Sequence, residues 1–105
     1  MLVAENHEKN ISTLIVDGNI DENSSLELEE KVLLALENKI ETLVFNFKKV
    51  NYISSTGIRV LIVAYKKARK KNISVVINEI SKKAEEILDT VGVLPLFCNR
   101  EENLL

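Results

Sequence analysis

Short apolar runs with strand character alternate with amphipathic helical stretches along this chain, and that alternation restricts the fold more than any single residue does. Ile11-Ser12-Thr13-Leu14-Ile15-Val16-Asp17 reads as a strand ended by Gly18. Residues 2–6 are expected to pair with it through a turn at Glu8-Lys9-Asn10. Ser24-Ser25-Leu26-Glu27 has capping-box spacing and predicts a helix to about Asn38, with Leu28, Val32 and Leu36 inward. Leu43-Val44-Phe45-Asn46-Phe47 carries no charge and reads as the next strand. Ile58, Leu61, Ile62, Tyr65 and Ala68 then fall at helical spacing, with Arg59, Lys66 and Lys70 turned away, which predicts a helix from about Thr56 to Lys71. Ile73–Ile77 reads as a strand. Ser81 opens a helix through Val91, with Ala84, Ile87, Leu88 and Val91 on one face and Gly92 as the stop. Leu96-Phe97-Cys98 is expected to form a last short strand.

The resulting order predicts an α/β fold: a mixed, mostly parallel sheet of four to five strands with right-handed crossovers and three or more helices. One consequence needs only topology. The segments Gly18–Ser24 and Lys48–Ser55 both lead from a strand's carboxyl end to a helix's start, so they emerge on the same edge of the sheet. Gly18-Asn19-Ile20-Asp21 and Ser54-Ser55-Thr56-Gly57 are therefore expected to be neighbours.

At 105 residues the chain is expected to form one domain, residues 1–105, able to bury a core without disulfide or metal. A net charge of −2 argues against general affinity for nucleic acid or anionic lipid. No apolar run approaches the roughly twenty residues of a membrane span, and Met1–His7 lacks the pattern of a secretory signal. One cysteine, Cys98, fits a reducing compartment, so a cytoplasmic setting without membrane insertion is expected. His7 has no metal-ligand company, and the three glycines form no phosphate-cradling loop, so neither metal nor cofactor is expected. Lys66-Lys67-Ala68-Arg69-Lys70-Lys71 lies where a helix C-terminus favours cations, and is read as a solvated face.

The chemistry concentrates at Ser54-Ser55-Thr56-Gly57. One hydroxyl suffices to cap a helix, and here there are three in succession. Hydroxyls at that junction lie beside unpaired amide N–H groups and the positive end of a helix dipole, an environment suited to negative charge. No histidine or lysine base accompanies the serines, so Ser-His nucleophilic catalysis is unsupported; a serine modified by another enzyme needs none. Asp21, ahead of the first helix, is favoured there by the dipole in any protein. If it faces Ser55 it would orient a hydroxyl or position an incoming kinase, and would repel an added phosphate.

Val50-Asn51-Tyr52-Ile53-Ser54-Ser55-Thr56-Gly57-Ile58-Arg59-Val60-Leu61 resembles the signature of the STAS domain (sulfate transporter and anti-sigma factor antagonist): an aromatic, an aliphatic, then Asp-Ser-Ser/Thr-Gly and an apolar helix. Gly18-Asn19-Ile20-Asp21 resembles the family's Gly-x-Leu-Asp, and the chain from Ile80-Ser81 to Val91-Gly92-Val93-Leu94-Pro95-Leu96-Phe97 resembles its closing helix and strand. The resemblance implies an anti-sigma factor antagonist, not an enzyme, that binds an anti-sigma factor with serine kinase activity. Phosphorylation on Ser55 would switch it off and a serine phosphatase would reset it. It implies partner contacts at Asp21, Asn23, Ser54, Ser55, Thr56, Gly57 and Arg59. Ser54 stands where aspartate is commoner, and Arg59 where a small residue is often found. Two alternatives stay open: a STAS regulatory or transporter-associated module without a sigma-factor partner, and a small phosphotransferase or hydrolase.

Overall fold

The computed structural model describes residues 1–97. Its elements are β1 (Leu2–Glu8), β2 (Ile11–Asp17), α1 (Glu22–Glu37), β3 (Thr42–Lys49), α2 (Ser55–Lys70), β4 (Ser74–Ile80), α3 (Lys82–Thr90) and α4 (Leu94–Phe97). The sheet order is β1-β2-β3-β4, with β1 antiparallel to β2 and the other two pairings parallel. The mixed, mostly parallel α/β sheet expected from the sequence is the one that forms. Glu8 opposite Ile11 closes the hairpin and leaves Lys9 and Asn10 as its loop, with Lys9 at φ 58°.

Period-two burial sets the register. Leu14 and Val16 of β2, Leu43, Phe45 and Phe47 of β3, and Val75 of β4 enter one continuous core with Leu28, Val32 and Leu36 of α1 and Val60, Leu61, Ala64 and Ala68 of α2. Val44 is buried but stands apart from that core, as alternation along a strand requires. Phe45 and Phe47 pack with ring centroids 5.2 Å apart. Burying a side chain of that size contributes about 1.5–3 kcal/mol. Ser12 is the polar exception on the inward face of β2, and its Oγ donates to Glu5 Oε2 at 2.7 Å.

Two expectations about element ends need correction. Asp21, not Ser24, caps α1, and Ser24 occupies the third helical position. The capping box is real but begins three residues earlier than the Ser24–Glu27 spacing suggests, because Asp21 and Ser24 satisfy each other's backbone N–H groups. The expected terminal strand is instead the short helix α4 over residues 94–97, and Cys98 lies outside the described residues. Pro95 fits a first helical turn, where its missing N–H costs nothing. The turn carries Phe97 into the core, edge-on to Tyr65 with centroids 6.0 Å apart.

The basic run at the end of α2 is partly structural. Arg69 donates to the Tyr65 hydroxyl at 2.9 Å, and Lys71 Nζ to the Leu36 carbonyl of α1 at 3.0 Å. No helix of the described residues is long and apolar enough to cross a membrane.

Candidate functional site

Beyond the regular ladder, the chain continues to pair. Gly18 N–H donates to the Lys49 carbonyl at 3.1 Å, Ile20 N–H to Tyr52 at 2.9 Å, and Ser54 N–H to Ile20 at 2.8 Å. An isolated parallel bridge thus joins Ile20 to Ile53. Gly18 makes the entry possible: its φ of 115° is one that side-chain-bearing residues rarely adopt. The two loops expected on topological grounds to be neighbours are hydrogen-bonded to one another, and each delivers a helix N-terminus to the same edge of the sheet.

Each terminus is capped by its own side chain. Asp21 Oδ1 accepts from Ser24 N–H at 2.8 Å and from Ser24 Oγ at 2.9 Å, while Ser24 Oγ accepts from Asp21 N–H at 2.8 Å. These bonds, the backbone one foremost, hold the Asp21 carboxyl below the usual aspartate range. At α2, Ser54 Oγ accepts from Gly57 N–H at 3.1 Å and shares a hydrogen bond with Thr56 Oγ1 at 2.9 Å. Ser54 is buried and Thr56 half-buried, whereas Ser55 is exposed and its hydroxyl takes part in no side-chain hydrogen bond among the described residues. The three hydroxyls therefore divide into an occupied pair and one free group.

Gly57 is required by packing rather than by φ. A Cβ there would lie 2.7 Å from Ile20 Cγ2 and 3.0 Å from Ile53 Cγ2, closer than carbon atoms approach. The residues that bridge the two loops thus also wedge against the first turn of α2. The Ser81 hydroxyl donates to the Val50 carbonyl and ties the start of α3 to the same loop.

Asp21, Glu22, Asn23, Tyr52, Ser54 and Ser55 line an open depression of about 340 Å³. The fold therefore brings together Asp21, Asn23, Ser54 and Ser55. Thr56 stands behind Ser54, Gly57 lies buried beneath, and Arg59 is exposed one turn along α2. No hydrogen bond joins the Asp21 carboxylate to the Ser55 hydroxyl among the described residues; Asp21 Oδ1 is engaged by Ser24. Sequence reasoning missed Glu22 and Tyr52 as site residues. Tyr52 is half exposed although the next residue, Ile53, is buried; an aromatic ring alternating with a buried aliphatic in a strand-to-helix loop was the available signal. A second depression of about 450 Å³, lined by Asn51, Lys83, Glu86, Ile87, Thr90 and Val91, lies on α3's side of the loop and takes none of the three hydroxyls. No cluster of three metal-ligating side chains occurs among the described residues.

The fold has counterparts. A STAS domain family model matches residues 3–104. The anti-sigma factor antagonist SpoIIAA in its unphosphorylated form superposes with a TM-score of 0.80 at 13% identity, over 98% of this chain and 93% of that one. The phosphorylated form of SpoIIAA from Bacillus gives 0.72 at the same identity, over 98% and 96%. An anti-sigma factor antagonist from Mycobacterium paratuberculosis gives 0.77 at 20% identity, over 91% and 81%. A sulfate transporter family protein from Wolinella succinogenes gives 0.74 at 14%, over 87% and 74%. At these identities the likenesses establish the fold, and antagonists and transporter modules share it.

Proposed function

The chain belongs to the STAS domain family, and from that premise we propose that it is a cytoplasmic anti-sigma factor antagonist controlled by phosphorylation on Ser55. Unmodified, it binds an anti-sigma factor that is also a serine kinase and releases the sigma factor held there; phosphorylated, it lets the kinase go, and a phosphatase resets it. It performs no catalysis itself. The observation that carries this reading is the unequal standing of the three hydroxyls. Ser54 is buried as the cap of α2 and Thr56 is paired with it, so only Ser55 offers a free hydroxyl to an incoming enzyme. It does so beside Asp21, Asn23 and exposed Tyr52, an aromatic of the kind that anchors interfaces.

The energetics suit a switch without refolding. A phosphate adds a charge of about −1.5 to −2 at neutral pH. At the start of α2 the dipole favours it by about 0.3–1 kcal/mol, so the domain tolerates it. Within an interface the same charge meets desolvation and acidic groups at a cost of about 2–5 kcal/mol. With each 1.4 kcal/mol worth about tenfold, one phosphate loosens a partner by about a hundredfold.

The second reading is a STAS module serving a transporter or another signalling assembly. It is favoured by the similar likeness to the Wolinella succinogenes protein and by Ser54 in place of the commoner aspartate. Capture from the native organism's lysate with adenine nucleotide present separates the two. Wild type and Ser55→Asp, both verified as folded by circular dichroism, serve as bait, and captured proteins are identified by mass spectrometry. An ATPase of histidine-kinase-like fold retained by wild type and lost by the variant supports the antagonist. Identical captures, or a transporter subunit, reject it.

A further inference from the structure

Arg59 lies four residues beyond Ser55 on α2, the spacing at which helical side chains meet on one face. It is exposed and forms no ion pair among the described residues, where the one such pair joins Lys48 to Glu79. The other arginine of this helix is already held by the Tyr65 hydroxyl and ring. The charged residues that line the depression are acidic, Asp21 and Glu22 at the start of α1, whereas Lys83 and Glu86 of α3 line the second depression beyond Asn51. Arg59 is thus the cation available to the Ser55 face from within α2.

We propose that Arg59 is an intramolecular clamp for a phosphate on Ser55, so that modification both adds negative charge and withdraws a cation that unmodified protein presents to an acidic partner. An anion N-terminal to a cation at this spacing is the favourable orientation on a helix, and guanidinium matches phosphate through paired N–H donors. Asp21 and Glu22 line the same depression as Ser55 and oppose the phosphate, and Arg59, one turn along α2, is placed to offset them because helical side chains lean toward the helix N-terminus. The proposal rests on Ser55 being the modified residue, but its chemistry is testable without kinase or partner.

Full-length protein carrying phosphoserine at position 55, installed during translation, is titrated by phosphorus NMR at low salt in three versions: Arg59, Arg59→Gln and Arg59→Lys. The second ionisation of the phosphate is expected to lie about 0.3 pH unit lower with Arg59 than with glutamine. Lysine should restore part of the shift, and the difference should shrink at 1 M salt. Circular dichroism checks that all three are folded. Superimposable titrations of the arginine and glutamine forms would overturn the clamp, whatever the lysate capture finds. A lysate capture that rejects the antagonist would remove its regulatory meaning while leaving a measured ion pair standing.

Discussion

Gly57→Ala tests whether the two helix-bearing loops are held together as described. The new methyl carbon would sit 2.7 Å from Ile20 Cγ2 and 3.0 Å from Ile53 Cγ2, against an ordinary carbon–carbon separation of about 3.5–4.0 Å. Ile20 is fully buried and Ile53 nearly so, and both are fixed by the backbone bridge, so neither moves aside cheaply. Overpacking of this kind costs about 1–3 kcal/mol. Alanine's better helix propensity returns at most about 1 kcal/mol, and less in a first turn. A net loss of about 1–2 kcal/mol is expected, read as a lower urea midpoint, with Tm falling about 4–8 °C per kcal/mol in a domain of this size. The cause is separable from the effect. Ile20→Leu moves the branch off Cβ and removes the methyl that clashes, at a cost of its own below about 1.5 kcal/mol. In the double variant the two losses should be less than additive. Strict additivity, or a Gly57→Ala protein as stable as wild type, would refute the packing argument.

Ser54→Ala should lower stability by about 1 kcal/mol in urea denaturation, because it leaves Gly57 N–H uncapped at a buried turn. Ser55→Ala should change stability by less than about 0.5 kcal/mol, since nothing in the fold rests on its hydroxyl, yet abolish phosphate incorporation by a kinase-competent lysate, as intact-mass measurement would register. Asp21 contributes through its ionised form and its folded-state carboxyl is held low. Its advantage over Asp21→Asn should therefore be complete at neutral pH, begin to shrink only as pH enters the ordinary aspartate range, and be gone once pH lies below the lowered folded-state value. Urea midpoints of the two proteins from pH 7 to pH 2 would reveal an advantage that instead faded near pH 6.

The sheet was legible because its strands bury alternate residues and its helices bury one stripe, and both periods survive in the letters. Ends were less legible for a local reason. Capping depends on which side chain reaches which N–H, and the two candidates three residues apart, Asp21 and Ser24, turned out to be the two halves of one box. Leu96-Phe97-Cys98 misled because a short apolar run is equally compatible with strand and helix; the packing of Phe97 edge-on to Tyr65 decided it for the described residues, and that is tertiary information. Within the site, Ser54, Ser55 and Thr56 announced themselves together, but which one caps, which one pairs and which one is free depends on burial. Tyr52 escaped because its exposure is set by the bridge at Ile53, not by its own character.

Ser54 gives the site its sharpest electrostatic question, because a carboxylate is the commoner residue at that position in the family this chain resembles. A neutral cap leaves the partial positive charge of the α2 terminus unneutralised, which favours an incoming phosphate on the adjacent residue. Ser54→Asp should preserve the cap, since an aspartate oxygen can take the Gly57 N–H and the Thr56 hydroxyl in a stronger, charge-assisted bond. Burial at 5% exposure opposes the charge, so the unphosphorylated variant should stay within about 1 kcal/mol of wild type. With phosphoserine at position 55 the balance changes. At a separation of about 6 Å in a solvent-like dielectric, a carboxylate and a doubly charged phosphate repel by about 1 kcal/mol. Phosphorylation should therefore cost Ser54→Asp about 1 kcal/mol more stability than it costs wild type, read from urea denaturation of all four proteins at neutral pH and low salt. An equal cost in both backgrounds would mean that solvent already screens the two groups, and that the neutral cap does nothing for the phosphate beside it.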